Sequence, residues 1–132
     1  MAAMTVDAVV VTSERDLLGQ IIKLSALLGW EAAHFRPALT QRGWRTPVQG
    51  SLGKGFPDLI LVRSRDRRLI LAELKSNAGK LSPDQVRVHE VLEALDGASW
   101  SSSSAGAWRD RHEIGIYVWR PRDWDSIVDV LR

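Results

Sequence analysis

Apolar residues recur along the first half of the chain with the periods of a helix and then of strands. Residues 13–28 carry them at helical spacing, with Ser13 as a candidate N-cap and Gly29 directly after, which predicts a first helix. A short strand-like stretch follows at 30–35. Residues 56–62 and 69–75 are apolar, β-branched-rich runs separated by a wholly polar segment, which predicts a β-hairpin.

The second half of the chain predicts a helix, a strand and a short final helix. Ser82 and Pro83 mark the start of the helix, which continues to about Leu95 and closes at Gly97. A strand is expected at 114–119, and a short helix after Pro121 that Asp123 can cap. The order αβββαβα indicates an α/β fold with a mixed central sheet flanked by helices.

The predicted hairpin brings acidic and basic residues to one place. Asp58 begins its first strand, and Glu73 and Lys75 end its second. In an antiparallel pair, the residue numbers of directly opposed residues have a constant sum, and opposed side chains point to the same face. If that sum is odd, Asp58 lies opposite Glu73 or Lys75. Because side chains alternate along a strand, Glu73 and Lys75 then share that face. All three residues are expected to converge at one end of the hairpin.

This trio is suited to metal-dependent hydrolysis of a phosphodiester. Two neighbouring carboxylates repel each other, and oxygen ligands favour a hard cation such as Mg²⁺ or Mn²⁺. Lys75 would stabilise charge that develops on the phosphate or help to activate water. Glu-x-Lys on a strand is more often only a solvated sheet face. The Gly55-Phe56-Pro57 segment before Asp58 favours the catalytic interpretation, because proline is tolerated at the first residue of a strand.

At these residues the chain resembles the VRR-NUC nucleases, a virus-type branch of the PD-(D/E)XK, restriction-endonuclease-like superfamily. The resemblance covers nearly the whole chain and rests on several motifs in the family's order. These are Ser13-Glu14, Leu28-Gly29-Trp30, His34, Gly43-Trp44-Arg45-Thr46-Pro47, Gly55-Phe56-Pro57-Asp58-Leu59, Ala72-Glu73-Leu74-Lys75, Leu81-Ser82-Pro83-Asp84-Gln85 and Val118-Trp119-Arg120-Pro121.

The resemblance implies an αβββαβ core with a short C-terminal helix, and it assigns site residues. Asp58 and Glu73 would be metal ligands, together with the backbone carbonyl of Leu74, and Lys75 would be the catalytic lysine. Glu14 would be the helix-borne acid beside the site and a further candidate ligand. Gln85 would be the helix glutamine near it.

The residues themselves leave the roles of Glu14 and Gln85 open. Glu14 follows a candidate N-cap, where an acid also compensates the helix dipole. It shares a helical stripe with apolar residues and therefore faces the core or its edge. Gln85 lies in the first turn of the second predicted helix, where glutamine is also an ordinary exposed helix former.

A basic stretch precedes the hairpin. Between Phe35 and Gly55 the chain has no acidic residue, and it carries Trp44 and the cations Arg36, Arg42, Arg45 and Lys54. Such a segment suits a phosphate-binding wall, with Arg42 and Arg45 as the leading phosphate contacts and Lys80 as a further one. A solubilising surface loop is the alternative interpretation.

Length and composition predict a single nuclease domain over residues 1–132. The chain has 132 residues, 45% of them hydrophobic, and a net charge of +2, which allows one core. Residues 1–12 are expected to be a loose leader, and the serine-rich residues 99–108 a flexible inserted loop. Cysteine is absent, which excludes disulfide and thiolate chemistry. No apolar run reaches the length of a membrane span, and a soluble cytoplasmic protein of a bacterium or a phage-infected host is expected.

The sequence therefore predicts a Mg²⁺-dependent DNA endonuclease. Branched or otherwise structured DNA, such as a Holliday junction, is the expected substrate, in replication, recombination or repair, and a homodimer the expected assembly. Two alternatives stay open: a sequence-specific restriction-type endonuclease, for which the chain is short, and a catalytically silent nucleic-acid-binding module.

Overall fold

The computed structural model describes residues 13–35, 38–45, 48–99 and 112–132. These residues form three α-helices, α1 (Glu14–Leu27), α2 (Pro83–Glu93) and α3 (Trp124–Leu131). The same residues form seven strands, in chain order β1 (Glu31–His34), β2 (Ala38–Thr40), β3 (Gly43–Arg45), β4 (Leu59–Arg63), β5 (Arg68–Leu74), β6 (Gly97–Ser99) and β7 (His112–Trp119). The predicted leader and all but the first residue of the predicted serine-rich loop lie outside the described residues, as does Arg36.

Five of the strands form a mixed sheet in the order β1-β4-β5-β7-β6. Strands β4 and β5 are the predicted antiparallel hairpin, and β7 lies parallel to β5. The connection from β5 to β7 includes α2, as a parallel crossover usually includes a helix. The fold class is the predicted one: a restriction-endonuclease-like αβββαβ core with a mixed sheet, followed by a C-terminal helix.

The helices cover both faces of this sheet. The larger core lies between the sheet and the helices α1 and α3, and it contains Leu17, Leu61, Ile70 and Ile127. The smaller core lies between the sheet and α2, where Leu71 meets Val88 and Leu92. In β5, even-numbered residues therefore face α1 and α3, whereas Leu71 and Glu73 face the side of α2.

Local signals explain where α1 and α2 begin and end. The Ser13 hydroxyl accepts a hydrogen bond from Asp16 N at 3.0 Å at the start of α1, and Gly29 takes a positive φ of 86° just past its end. Ser82 and Gln85 form a reciprocal capping box at the start of α2, where Pro83 occupies the first turn. No helix in the described part of the chain is long and apolar enough to cross a membrane.

Several details differ from the prediction. The first hairpin strand begins at Leu59 and not at Phe56, because Pro57 has no N–H to donate to a ladder. Asp123 precedes α3 but does not cap it: its carboxylate accepts from Arg120 N at 2.9 Å and closes a short 3₁₀ helix, Pro121–Asp123. Ser99, expected in the inserted loop, ends β6.

The basic stretch contains a second hairpin that was expected to be a loop. Strands β2 and β3 pair with each other in a separate two-stranded sheet, with Thr40 opposite Gly43. The connecting turn is Gln41-Arg42, and Gly43 has a positive φ of 93°. Turn residues other than Asn-Gly or Asp-Gly give little sequence signal for a hairpin, which accounts for the missed pair.

Candidate active site

The pairing of β4 with β5 brings Asp58 and Glu73 together. Leu59 lies opposite Ala72, so the residue numbers of opposed residues have an odd sum. One position further along the two strands, Asp58 lies opposite Glu73. The predicted parity is thus confirmed. Both side chains point to the sheet face on which α2 packs, and they lie at the end of the hairpin remote from its turn.

The carboxylate of Asp58 is tied to the backbone of β5. Its Oδ2 atom accepts a hydrogen bond from Leu74 N at 2.9 Å. The next amide, Lys75 N, donates in the opposite direction, to Trp119 O at 3.0 Å. Because no cis peptide occurs in the described residues, the carbonyl of Leu74 points away from β7 and toward the side of Asp58. The backbone of Leu74 therefore presents both its donor and its acceptor on that side.

Glu73 is a buried carboxyl group, with only 4% of the residue exposed. Its Oε2 atom accepts a hydrogen bond from the side-chain amide of Gln85 at 3.1 Å. Its Oε1 atom is buried and has no hydrogen-bond partner. A buried carboxylate oxygen without a partner costs free energy. A proton shared with Asp58, or a bound cation, would offset this cost.

The electrostatics of the site follow from this burial. Burial, then the proton that a neutral Glu73 can share with the carboxylate of Asp58, and then the negative charge of Asp58, raise the pKa of Glu73 to about 9. Lys75 acts in the opposite direction, and Glu14 adds to the rise. Two carboxyl groups in one pocket cannot both ionise freely unless a positive charge is present. Metal-free Glu73 is thus expected to hold a proton at neutral pH.

Glu14 and Lys75 belong to the same electrostatic cluster. The pKa of Glu14 is raised by partial burial of its carboxyl group and then by the charge of Asp58, and Lys75 opposes this rise. Glu14 is nevertheless more exposed than Glu73, as the first residue of α1. No three His, Cys, Asp or Glu side chains of the described residues converge as a ligand set. The carboxylates that the hairpin brings together are therefore the pair Asp58 and Glu73.

Gln85 lies at the site and also completes the start of α2. Its side-chain oxygen accepts from Ser82 N at 2.8 Å, while its side-chain nitrogen donates to Glu73. Because the oxygen is engaged with a backbone donor, the orientation of the amide is set by the cap. The structure places Gln85 beside Glu73, where the resemblance implies that it lies. The sequence does not predict that the same side chain contacts both Glu73 and Ser82.

Close packing against Gly55 holds the start of α2 in place. Gly55 has a φ of 94°, and a Cβ atom there would lie 2.5 Å from the carbonyl carbon and oxygen of Asp84. Only glycine permits this approach. The segment before Asp58 therefore packs directly against the residue that precedes Gln85.

The cations expected to contact phosphate lie on several segments of the chain. Lys54 is highly exposed and forms an ion pair with Asp84 at 3.3 Å, beside the start of α2. Arg42 is exposed in the turn of the β2–β3 hairpin, and Lys80 is exposed beyond Lys75. Arg45 lies in β3, and its side chain is outside what the structure describes. Phe35, which precedes that hairpin, donates its backbone N–H to Asp58 O at 2.9 Å.

Comparison with known proteins identifies the family. The sequence model of the VRR-NUC domain matches residues 27–98, which is more than half of the chain and includes Asp58, Glu73, Lys75 and Gln85. Searches of curated proteins and of solved structures found no significant match. VRR-NUC proteins are nucleases, and DNA is the substrate that membership implies. The chain belongs to the VRR-NUC family of nucleases.

Proposed function

We propose that this nuclease hydrolyses phosphodiester bonds of DNA with the help of Mg²⁺ or Mn²⁺ bound between Asp58 and Glu73. The observation that carries the proposal is the partnerless buried Oε1 atom of Glu73, next to a second carboxylate. An apolar residue would fill such a position at lower cost if the role were only structural. A divalent cation would satisfy the oxygen and relieve the repulsion at once.

The donor set fits a hard cation. Asp58 and Glu73 would supply carboxylate oxygens, and Leu74 would supply a backbone carbonyl that points to the same side. Mg²⁺ prefers oxygen ligands and retains several water molecules, so it does not need a cage made wholly of protein. Bound there, the cation would polarise the phosphate and lower the pKa of a water molecule.

The remaining residues of the cluster have separate tasks. Lys75 opposes the rise of the pKa values of Glu73 and Glu14, which supports a role for its ammonium group at the site. It would stabilise negative charge on the phosphate in the transition state or orient the attacking water. Gln85 would hold Glu73 in a fixed orientation, and Glu14 would add negative potential or bind a metal-bound water.

Basic residues from several segments would bind the DNA backbone. Arg42 and Arg45 belong to the β2–β3 hairpin, which follows the Phe35 contact with Asp58. Lys54 can exchange its exposed ion pair with Asp84 for a phosphate, since such pairs contribute little on their own. Lys80 follows the strand that bears Lys75. These contacts would be salt-dependent and independent of base sequence.

The preferred substrate in this proposal is branched DNA, such as a flap or a four-way junction, cut during replication, recombination or repair. The resemblance to virus-type nucleases with PD-(D/E)XK sites is the basis for this preference. A homodimer would present two such sites to two strands of a junction. The cytoplasm of a bacterium or of a phage-infected host is the proposed location.

The experiment is cleavage of end-labelled DNAs that share one sequence: single strand, linear duplex, splayed arm, flap and four-way junction. Each is incubated with Mg²⁺, with Mn²⁺ or with EDTA. The proposal predicts cutting that requires metal and is faster on the branched members than on linear duplex. Discrete fragments from linear duplex would instead indicate a restriction-type enzyme, and absence of cutting from every member would contradict the nuclease proposal.

A further inference from the structure

A short turn links the two ends of the active site. It begins one residue after the end of β5 and consists of residues 76–79, closed by a hydrogen bond from Gly79 N to Ser76 O at 3.2 Å. Lys75 precedes the turn, and the cap residue Ser82 follows it by three positions. The conformation of this turn therefore affects where the chain places Lys75 and where it begins α2, which carries Gln85.

The guanidinium group of Arg120 binds this turn from the adjacent strand. Its Nη1 atom donates to the carbonyl oxygen of Ser76 at 2.7 Å and to that of Gly79. Arg120 follows β7, whose last residue, Trp119, accepts the backbone hydrogen bond of Lys75. The two chain segments thus leave the sheet side by side, and one half-buried arginine joins them.

A second arginine binds the same turn through Asn77. The backbone N–H of Arg122 donates to Asn77 Oδ1 at 2.9 Å, and its Nη1 atom donates to Asn77 O at 3.2 Å. Both Arg122 and Asn77 are exposed. These contacts supply a control, because they involve the same turn and the same residue type but not the carbonyl groups of Ser76 and Gly79.

The inner side of the turn packs along the Lys75 side chain. A Cβ atom built on Gly79 would lie 3.5 Å from Lys75 Cδ and 2.9 Å from Ser76 Oγ. The lysine stem therefore passes beside Gly79, on the side to which a Cβ would project. Because Gly79 O is one of the two acceptors of Arg120, the arginine holds the residue that this stem passes.

We propose that Arg120 is a positioning residue for Lys75: it fixes the Ser76–Gly79 turn so that the lysine ammonium is held at the carboxylate pair. This inference rests on the proposed function for its effect on cleavage, but not for its effect on the turn itself. It predicts that Arg120 acts through Lys75 and does not contact DNA.

The kinetic consequence follows from the sensitivity of catalysis to geometry. Misplacement of a catalytic group by about 1 Å costs on the order of 10²-fold in rate. Arg120→Ala is therefore expected to lower kcat by about 10- to 100-fold with little change in KM for DNA. Arg120→Lys retains a donor for one carbonyl and should recover part of the rate. Arg122→Ala should change kcat by less than about threefold, since exposed contacts contribute little.

A double-mutant cycle with Lys75→Met tests whether Arg120 acts through the lysine. The rates are measured in single turnover with excess enzyme, so that slow variants remain quantifiable. If Arg120 positions Lys75, adding Arg120→Ala to Lys75→Met costs less than about threefold. A full additional loss in the double variant, or a rise in KM at unchanged kcat, would overturn the proposal in favour of a direct contact with DNA.

Amide hydrogen exchange tests the same inference without activity. Arg120→Ala should accelerate exchange at Gly79 N and leave exchange in α1 and β4 unchanged, whereas Arg122→Ala should affect Gly79 N much less. Slow exchange at Gly79 in Arg120→Ala would overturn the proposal even in an active nuclease. Faster exchange there in a protein that cuts no DNA would support the positioning contact and contradict only the proposed function. If Arg120→Ala does not fold, Arg120→Lys serves in both measurements.

Discussion

The side-chain amide of Gln85 bridges the N-terminus of α2 and the carboxyl group of Glu73. Its oxygen accepts from Ser82 N at 2.8 Å, and its nitrogen donates to Glu73 Oε2 at 3.1 Å. The helix cap thereby orients a group of the active site. Helix stability and site geometry are joined at this residue, and substitutions can separate them.

Ser82→Ala and Gln85→Leu separate the cap from the site. Ser82→Ala removes the hydroxyl that accepts from Gln85 N and should destabilise the protein by about 1 kcal/mol with only a modest effect on cleavage. Gln85→Leu removes the acceptor for Ser82 N and also the contact with Glu73. It should lower the cleavage rate about 10-fold or more. Urea unfolding and cleavage rates of both variants check this. Equal activity of the two variants would show that the Gln85–Glu73 contact is not used.

Glu73→Gln is expected to stabilise the metal-free protein increasingly as the pH rises. Below pH 4.5 Glu73 is protonated whether the chain is folded or unfolded. Between there and its raised pKa of about 9, the unfolded chain releases the proton while the folded protein keeps it. Stability therefore falls with increasing pH in this window, by at most about 1.4 kcal/mol per pH unit, and a glutamine removes that loss.

The measurement for Glu73 is the free energy of unfolding in EDTA at pH 5.5, 7 and 8.5, for the wild type and Glu73→Gln. The difference should grow with pH. Mg²⁺ should stabilise the wild type more at high pH than at low pH, because the cation competes with the proton, and should leave Glu73→Gln unaffected. Parallel pH curves would contradict a protonated, buried Glu73.

Asp58→Asn and Asp58→Ala separate charge from hydrogen bonding. Asparagine retains an oxygen acceptor for Leu74 N, so the fold should lose little stability while cleavage is abolished. Alanine leaves that buried N–H without its acceptor and should cost a further 1–3 kcal/mol or so. Thermal unfolding of the two variants gives the comparison. Equal stability of both would mean that the Asp58–Leu74 hydrogen bond contributes nothing.

Gly55→Ala should be far more damaging than Gly50→Ala. Both residues have a positive φ, 94° and 98°, so each alanine pays a similar backbone penalty of about 1–3 kcal/mol. At Gly50 no atom of the described residues, apart from the glycine and its two chain neighbours, lies within 4 Å of the added Cβ, whereas at Gly55 it would meet the backbone of Asp84 at 2.5 Å. The expected extra cost at Gly55 is about 1–3 kcal/mol. Urea midpoints measure it, and similar midpoints would contradict the close packing.

Arg63 is a stability residue that the sequence pattern did not reveal. It is 3% exposed, forms a bidentate ion pair with Asp66, and donates to the carbonyls of Leu28, Leu131 and Arg132. Arg63→Leu should cost about 3–5 kcal/mol, because the hydrogen bonds of one buried guanidinium group to a carboxylate and to three carbonyl groups are lost together. Arg65→Leu, which loses one exposed contact, is the matched control. Similar melting temperatures of both variants would contradict this assignment.

The parts of the fold that depend on local pattern were predictable, and those that depend on distant packing were not. The apolar runs around Asp58 and Glu73 determine which side chains share a face, so the hairpin and its parity followed from spacing alone. The contact between Gln85 and Glu73 depends on α2 packing against Gly55, which no local rule contains. The hairpin β2–β3 and the strand β6 were missed because three-residue strands have too few positions to show a period.

The contact between Arg120 and the turn after Lys75 also depends on distant packing and is not predictable from local pattern. Arg120 lies 41 and 44 residues along the chain from its two acceptors, Gly79 and Ser76, and nothing in the sequence around it indicates that contact. The parallel pairing of β5 with β7 brings these segments together. Residues that position a catalytic group are therefore harder to find in a sequence than the group itself.

The central claim is that Asp58, Glu73 and Lys75 form one metal-dependent site. Its most direct test is the single-turnover cleavage rate of a DNA that the wild type cuts, measured against Mg²⁺ concentration, for the wild type, Asp58→Asn, Glu73→Gln and Lys75→Met, with DNA affinity measured separately in EDTA. The wild type should show a saturable dependence on metal, each variant should lose at least about 10³-fold in rate, and the DNA affinities should agree within about threefold. Cleavage in EDTA, or wild-type rates in Asp58→Asn or Glu73→Gln, would contradict it.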